Sequence, residues 1–236
     1  LKDENGNDIR FPYLTTLGNV SSTWGTGLAE NRTGSMNLKW EVSTKTNFGI
    51  DARFFDDKVD MTVDFFHTKT TDIFQRRANI PDEGGLSNVL PYANIGSMKS
   101  WGMDGTLAYT HTFNKDMALT VRGNFTHAEN EVIYWEQSGV NYPYQSNSGV
   151  PYKVQRGLIA LGLFKDEDDI KSSPKQTFMD NYRPGDIKYK DVNGDGKIDK
   201  DDVVPLNYSA VPFIQYGFAL DWNYKAFRVS ILFEGV

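Results

Sequence analysis

Apolar and polar side chains alternate along a long stretch of the first quarter of this chain. Between Leu38 and Phe54 most alternate residues are apolar or aromatic, and most of the residues between them are charged or polar. Because successive side chains of a β-strand point to opposite faces of a sheet, this period of two predicts a strand with one apolar face and one charged face.

The same alternation recurs in five further stretches, at residues 59–66, 101–113, 117–125, 215–224 and 227–234. The stretches form pairs, and the two members of each pair are separated by a short polar break, at 55–58, 114–116 or 225–226. Short breaks of this kind are typical of tight hairpin turns. The pattern predicts an all-β fold with about six antiparallel strands in three hairpins.

Three long irregular segments lie outside these hairpins, at about 1–36, 70–97 and 128–212. Loops above about 15 residues are unusual in a compact soluble domain. They are expected in an outer-membrane barrel, where the periplasmic turns are short and the extracellular loops are long. The asymmetry favours an antiparallel transmembrane β-barrel segment with long extracellular loops, and residues 1–236 would form part of one barrel domain.

Solvation decides which face of such a strand meets lipid. A charge such as Asp51 or Arg53 at the midplane of a lipid-facing surface would cost a few kcal/mol. We therefore expect the charged face to line a watery or plugged interior, and Trp222 and Tyr224 to join an aromatic girdle at the membrane surface. Alternation alone also fits a soluble β-sandwich whose apolar face packs on a second sheet.

Composition narrows the choice of function. The chain has 236 residues, no cysteine and a net charge of -6. The absence of cysteine excludes disulfides and thiolate chemistry within it, and the acidic balance without a basic cluster argues against nucleic acid as a partner. No apolar run of about 18 residues is present, so the sequence predicts no transmembrane helix.

Residues 191–202 read Asp-Val-Asn-Gly-Asp-Gly-Lys-Ile-Asp-Lys-Asp-Asp and match the spacing of a calcium-binding loop. Oxygen-bearing side chains fall at positions 1, 3, 5, 9 and 12 of this motif, a glycine is at position 6, and position 7 offers its backbone carbonyl. A hard cation takes six to eight oxygen ligands. The spacing therefore predicts a Ca²⁺ or Mg²⁺ site formed by Asp191, Asn193, Asp195, Lys197, Asp199 and Asp202.

Two features of the same loop favour weak binding or a metal-free turn. Position 12 carries Asp202 instead of the usual Glu, and the shorter side chain reaches less easily for bidentate coordination. The flanking segments, which contain Pro184 and Pro205, do not have helical patterns. The loop is thus either stiffened by an ion or a metal-free turn rich in Asp, Asn and Gly, and a calcium sensor is not expected because no helix pair is predicted.

Catalytic chemistry is not indicated elsewhere in the sequence. His67, His111 and His127 lack a metal-ligand spacing, and the carboxylates at 166–169 are typical of a solvated loop. The sequence has no nucleophile elbow and no phosphate-binding glycine loop. We therefore predict that the protein is not an enzyme.

Several motifs occur in a fixed order from about residue 37 to the end of the chain, at 37–41, 45–49, 65–73, 94–102, 184–199 and 212–218. The most specific is Pro-Gly-Asp-Ile-Lys-Tyr-Lys-Asp-Val-Asn-Gly-Asp-Gly at 184–196. Together they resemble the SusC/RagA family of TonB-dependent transporters. One mild departure is Gly102-Met103-Asp104, where the family has Gly-x-Glu.

The resemblance implies a plugged barrel of about 22 strands in the bacterial outer membrane. It also implies a SusD-like surface lipoprotein as partner, an oligosaccharide or peptide substrate, and energy delivered through TonB. Since about six strands are predicted here, we expect the remaining strands, the plug domain and the segment that contacts TonB to lie outside this chain.

Two functions follow as hypotheses. The first is part of an outer-membrane nutrient importer for glycan or peptide oligomers, with its apolar face in lipid. The alternative is a soluble, calcium-stiffened, β-rich module that binds glycans or acts as an adhesin.

Overall fold

The computed structural model of the protein describes residues 11–23, 25–80 and 89–236. Its first elements form a two-stranded antiparallel hairpin, β1 (Thr16–Ser22) and β2 (Gly25–Arg32). Four long strands follow: β3 (Val42–Phe54), β4 (Val59–Arg76), β5 (Tyr92–Asn114) and β6 (Met117–Tyr134).

Short elements fill the segment after β6. They are β7 (Val154–Gly157), β8 (Ala160–Leu163), the helix α1 (Glu167–Ser172), β9 (Lys175–Gln176), β10 (Ile187–Tyr189), β11 (Lys197–Ile198) and β12 (Val204–Ser209). The last strands are β13 (Ile214–Tyr224) and β14 (Phe227–Gly235). No helix in the described ranges is both long enough and apolar enough to cross a membrane.

The six long strands form one antiparallel sheet in the order β3-β4-β5-β6-β13-β14. The three predicted hairpins are confirmed, with turns at 55–58, 115–116 and 225–226. Phe55, Asp56, Asp57 and Lys225 in these turns have positive φ angles of 52–62°, a conformation that hairpin turns require because it follows the twist of the strands. The sheet itself follows chain order, and β13 pairs with β6 across the long intervening segment.

The predicted loops at 70–97 and 128–212 are too long, because β4 continues to Arg76, β5 begins at Tyr92 and β6 continues to Tyr134. The simple alternation is lost near Asp72, where φ is 56° and the β4–β5 register shifts. A bulge changes which face the following side chains occupy, so a strand that contains one no longer shows a clean period of two. The predicted loop at 1–36 is also partly wrong, since it contains the β1–β2 hairpin.

The start of the first long strand differs from the prediction as well. The sheet begins at Val42, and residues 38–41 precede it. Lys39 is instead held from the side, because its backbone N–H donates to Asn94 Oδ1 at 2.9 Å and its ammonium lies 3.1 Å from Asp72. This segment is therefore fixed to β4 and β5 by side chains.

The small protein core lies mainly in the segment between β6 and β13, and Val132 of β6 also belongs to it. Ile198, Gln176 and Asp202 are almost completely buried there, and Phe164 is 2% exposed. Short antiparallel pairings of β10 with β8 and of β12 with β7, and a parallel pairing of β11 with β9, hold this region together. The segment thus packs as an ordered structure of its own at one end of the sheet.

Candidate functional site

The strand register places the apolar side chains of all six strands on one face of the sheet. Across the strands, Tyr109 is opposite Val59 on one side and Val121 on the other, and this row continues to Leu220 and Ile231. A second row joins Phe48, Phe65 and Met103. Cross-strand neighbours therefore match apolar with apolar, as the alternation predicted.

This face is not covered by the described parts of the chain. Phe48 is 63% exposed, Leu107 53%, Phe218 43% and Phe233 59%. Single exposed apolar residues are ordinary on soluble proteins, but a continuous patch of this extent marks a surface that contacts a partner or lipid. The second sheet expected of a β-sandwich does not lie against it in residues 11–23, 25–80 and 89–236.

Aromatic side chains cluster on this face beside the hairpin turns. The rings of Trp222 and Tyr224 are stacked, with centroids 5.9 Å apart and planes 4° apart. Tyr109, His111 and Phe113 form a second run along β5, in which the last two rings meet edge to face at 4.3 Å. Both groups lie beside the turns, and the second was not identified from the sequence.

The opposite face carries paired charges. Asp221 is only 5% exposed and is held by Arg122 at 2.6 Å, by Arg228 at 3.7 Å and by the Ser230 hydroxyl, which donates to it at 2.5 Å. A buried carboxylate requires such partners, since an isolated buried charge is very costly. These contacts join β6, β13 and β14 through their charged face.

At the end of the strands away from the hairpin turns, ionisable side chains replace the apolar ones on the same face. The rows there contain His67, Lys69, Lys99, Glu129 and Glu131. Lys99 forms a 2.9 Å ion pair with Glu131 and lies 5.3 Å from the centre of the Trp101 ring. The apolar band therefore has a sharp upper limit, and β4, β5 and β6 continue beyond it.

An ion pair that the sequence did not reveal lies at the upper end of the sheet, which is the end away from the hairpin turns. The Arg77 guanidinium donates to both carboxylate oxygens of Glu136, at 3.1 and 2.8 Å, and the Ala78 N–H donates to the same group at 2.9 Å. Burial opposes ionisation of Glu136, but these donors outweigh it, and the pKa of this carboxyl is lowered below its usual value.

The predicted metal loop, residues 191–202, is closed by its own backbone amides. Asp191 accepts N–H bonds from Gly194 at 2.7 Å and Gly196 at 2.9 Å, and the completely buried Asp202 accepts from Val192 at 2.7 Å and Asp199 at 2.9 Å. Both glycines have positive φ angles, 77° and 86°, as the sharp bend requires. The loop is thus a compact turn in which Asp202 has a structural role.

The other predicted ligands do not converge as a cluster. Asn193 Oδ1 and Asp195 Oδ1 each accept an N–H bond from two residues further along the chain, at 3.0 Å. The Lys197 ammonium lies 3.4 Å from Asp195 and 3.9 Å from Asp199. Within the described residues, no group of three or more acidic or histidine side chains is close enough to hold a metal ion. The Lys197 ammonium already neutralises part of the carboxylate charge that a cation would bind. The Ca²⁺ or Mg²⁺ site stays a prediction.

Charge interactions in this loop shift two pKa values in opposite directions. The backbone N–H of Lys197 and its ammonium lower the pKa of Asp195, and the Asp195 carboxylate raises the pKa of Lys197. Each group stabilises the ionised form of the other. The positive charge of Lys197 therefore lies where a divalent cation would compete with it.

A tyrosine pair at 142–144, shortly after the end of β6, contacts the 191–202 loop. The rings of Tyr142 and Tyr144 are stacked 5.3 Å apart, and the Tyr144 hydroxyl donates to the backbone carbonyl of Asp201 at 2.6 Å. Burial raises the pKa of Tyr144, and the negative groups around it, including Asp202, add to the effect. Sequence alone could not locate this contact, since more than fifty residues separate the partners.

Comparisons with known proteins agree on a family. The sequence profile described as "TonB dependent receptor-like, beta-barrel" matches residues 6–231. TonB-dependent receptor P39 of Formosa agariphila is 30% identical over 242 residues, which cover 88% of this chain and 23% of that protein. TonB-dependent receptor SusC of Bacteroides thetaiotaomicron is 26% identical over 204 residues, or 82% of this chain and 19% of that protein.

The fold is shared with a solved transporter. The structure of the RagAB peptide importer in the open-open state aligns with 94% of this chain and 23% of its own, with a TM-score of 0.67 and 23% sequence identity. The chain thus spans about a quarter of the length of the proteins it matches. These findings confirm the predicted resemblance to SusC and RagA and the predicted barrel class.

Proposed function

Because this chain belongs to the TonB-dependent receptor β-barrel family, we propose that it forms part of the wall of an outer-membrane nutrient importer. In this proposal the other strands and the plug come from sequence outside these 236 residues, and TonB acts on the protein through that part. The relatives are named as receptors and as an importer, and the proposal assigns no catalytic residue to this chain.

The uncovered apolar face is the observation that carries the proposal. On β5 this face, with its aromatic run at 109–113 included, extends from Met103 to Phe113, which is about 34 Å along a strand at about 3.4 Å per residue. A strand tilt of about 40° reduces this to a height of about 26 Å, and the apolar band of outer-membrane barrels is ~25 Å tall. The face together with its aromatic run is therefore about as tall as that band.

The limits of this band suggest an orientation. We place the stacked pair Trp222–Tyr224 at the periplasmic surface, and the ionisable row with Lys99 and Glu131 at the outer surface. The segment between β6 and β13 then lies outside the cell. There it would meet an oligosaccharide or peptide substrate and a SusD-like lipoprotein, while an ion in the 191–202 loop would stiffen this segment.

The assignment of the two faces can be tested with neighbouring residues. Val63 and Thr62 are adjacent on β4 and point to opposite faces. This chain has no cysteine, so Val63→Cys and Thr62→Cys can each carry a nitroxide spin label in the complete polypeptide in bilayers. We expect the label at 63 to relax with oxygen, which concentrates in lipid, and the label at 62 to respond less to oxygen. Equal access of both labels to a water-soluble nickel complex would contradict a lipid-facing wall.

The transport proposal needs its own experiment. Deleting the gene should abolish uptake of labelled oligosaccharides or labelled peptides by whole cells, and the protein purified from outer membranes in mild detergent should bring a surface lipoprotein with it. Unchanged uptake of both classes of label, or recovery of the protein in the soluble fraction, would contradict an importer.

A further inference from the structure

Two lysines lie directly opposite each other at the upper end of the apolar face. The β4–β5 register pairs Lys69 with Lys99, and it pairs Phe65 with Met103 below them. All four side chains share one face, since an even number of positions separates them along each strand. Like charges directly opposite each other on neighbouring strands lower stability. The lysine pair thus concentrates positive charge at the place where the apolar face ends.

Within the described residues, only Lys99 of this pair has a carboxylate partner. Its ammonium lies 2.9 Å from Glu131 on β6, whereas Glu129 lies 3.1 Å from His127. Lys69 is exposed, and no carboxylate in residues 11–23, 25–80 and 89–236 lies within ion-pair distance of its ammonium. Glu131 is two strands away from Lys69, which is about 10 Å at about 4.8 Å per strand. The charge of Lys69 is therefore available to an anion.

Lys99 is also positioned by an aromatic ring. Its ammonium lies 5.3 Å from the centre of the Trp101 ring, which belongs to the next residue on this face of β5. Aromatic faces attract ammonium groups, and the indole ring does so most strongly. An ammonium has three donor hydrogens, and the Glu131 carboxylate occupies only part of this capacity. The pair therefore combines one cation that is held in place with a second, Lys69, that is free to adjust to a ligand.

An apolar groove of about 360 Å³ lies below the lysine pair on the same face. Gly105 and Gly123 are neighbours of its floor, and a Cβ at Gly123 would meet no atom closer than 3.9 Å. Apolar side chains form the sides of the groove: Met61, Val63, Met103, Leu107 and Phe125. The two glycines therefore leave an open channel between larger side chains, and its surface suits a hydrocarbon chain.

The groove lies at the depth that one leaflet of a membrane reaches. The distance from Lys99 to Gly105 along β5 is about 20 Å at about 3.4 Å per residue. A strand tilt of about 40° reduces this to a depth of about 16 Å, which is about half of the ~30 Å hydrocarbon core of a bilayer. A lipid whose headgroup lies at Lys99 thus places the end of its acyl chain in the groove.

We propose that this surface binds an anionic lipid of the outer leaflet, with the phosphate of its headgroup on the lysine pair and an acyl chain in the groove. Phosphate oxygens are strong acceptors, and basic residues next to a membrane-spanning segment bind anionic headgroups. A cationic rim and an apolar groove on one continuous face match a ligand that is itself charged at one end and apolar at the other. The proposal rests on the importer function, which places this face in lipid, and adds to it a specific lipid contact.

The test measures lipid contact at this place alone. Thr46 lies beside His67 on the same face, so a fluorophore on Thr46→Cys in the complete polypeptide reports on lipids near the pair. The protein is placed in phosphatidylcholine nanodiscs, and the quenchers are phosphatidic acid and phosphatidylcholine with the same nitroxide-labelled acyl chain. We expect phosphatidic acid to quench at a concentration at least about fivefold lower, since one lysine beside an anionic headgroup contributes about that factor.

The variants remove the two halves of the site separately. Lys69→Gln should abolish most of the preference for phosphatidic acid, and Lys69→Arg should retain it. Because Lys69→Gln also relieves the repulsion by Lys99, its thermal midpoint in detergent should equal or exceed that of the parent, whereas loss of a structural contact would lower it. Gly123→Leu fills the groove and should weaken quenching by phosphatidic acid severalfold.

Lys45→Gln is the matched control. Lys45 is also exposed and lies on β3 opposite Thr68, so its side chain points to the other face of the sheet. This variant removes the same charge at a similar height and should retain the parental preference for phosphatidic acid. The contrast separates a contact with lipid from a general effect of net charge.

The outcomes distinguish the lipid contact from the importer function. Equal quenching by the two lipids, a parental preference in Lys69→Gln, or displacement of phosphatidic acid by millimolar inorganic phosphate would overturn the lipid contact and leave the lipid-facing wall in place. Parental quenching in Gly123→Leu would overturn the acyl chain in the groove. No quenching by either lipid means that protein, such as a second copy of this chain, covers the face, and this would contradict the wall as well.

Discussion

Arg77 and Glu136 form an ion pair that joins the ends of two strands that are not neighbours. Arg77 follows β4 and Glu136 follows β6, while β5 lies between them in the sheet. The Glu136 side chain is 4% exposed and the Arg77 side chain 36%. The pair therefore closes the upper end of the sheet with a charge that has little access to water.

Replacing Glu136 should loosen this end. Glu136→Gln retains the shape but loses the charge, and hydrogen bonds to charged groups contribute about 1.5–3 kcal/mol each. We expect a local loss of about 2 kcal/mol, which corresponds to roughly 30-fold faster hydrogen exchange of the Ala78 amide. The control is Asp168→Asn, because the Asp168–Lys171 pair is 93% and 73% exposed and such pairs contribute little. Unchanged exchange at Ala78 would show that the pair does not hold this end.

The same pair predicts a dependence on pH. The pKa of Glu136 is lowered from its ordinary value of 4.5 in the folded protein. The stabilisation is therefore fully present above about pH 4.5 and is lost as the pH falls through the lower pKa of the folded state. The difference in Ala78 protection between the parent and Glu136→Gln, corrected for intrinsic exchange, should be constant from pH 7 to 5 and shrink below 4.5. A difference as large at pH 3 as at pH 7 would contradict this.

Gly102 on β5 should not tolerate a side chain. A Cβ at this position would collide with the His127 carbonyl oxygen of β6, and it would lie 2.7 Å from the Phe66 ring. Because a backbone atom cannot yield easily, Gly102→Ala should cost about 1–3 kcal/mol. The heat-modifiable mobility of the complete barrel in detergent gives the change in unfolding midpoint.

Gly123 offers the control for this substitution. It lies on β6, in the same sheet, and the nearest atom to its Cβ would be the Gly217 carbonyl oxygen at 3.9 Å. Gly123→Ala should therefore keep the parental midpoint within error. Equal effects of the two substitutions would mean that the contact with His127 does not decide the outcome.

The 191–202 loop yields a prediction about metal binding. Lys197 lies near Asp195 and Asp199, so its ammonium competes with a divalent cation for the same oxygens. We expect millimolar Ca²⁺ to increase the protease resistance of this loop, and Lys197→Ala to bind Ca²⁺ more tightly than the parent. If neither Ca²⁺ nor a chelator changes the cleavage of either protein, the loop is a metal-free turn and the prediction is wrong.

Short-range periodicity is sufficient to predict the hairpins and their faces. The alternation around Phe48 or Leu220 depends only on successive side chains of one strand, and the tertiary register keeps these residues on the face that the sequence predicted. The turns at 55–58 and 225–226 were predictable for the same reason. The strand ends near Asp72 were not, because a bulge abolishes the period of two.

The sequence by itself thus determined an all-β wall with one apolar and one charged face, since a strand displays its pattern locally and solvation assigns each face its surroundings. Only the tertiary structure decided which distant groups meet. The Arg77–Glu136 pair and the hydrogen bond from the Tyr144 hydroxyl to the Asp201 carbonyl both depend on how separate segments pack. Such contacts arise from the three-dimensional path of the chain, and this path cannot be read from the spacing of residues along the sequence.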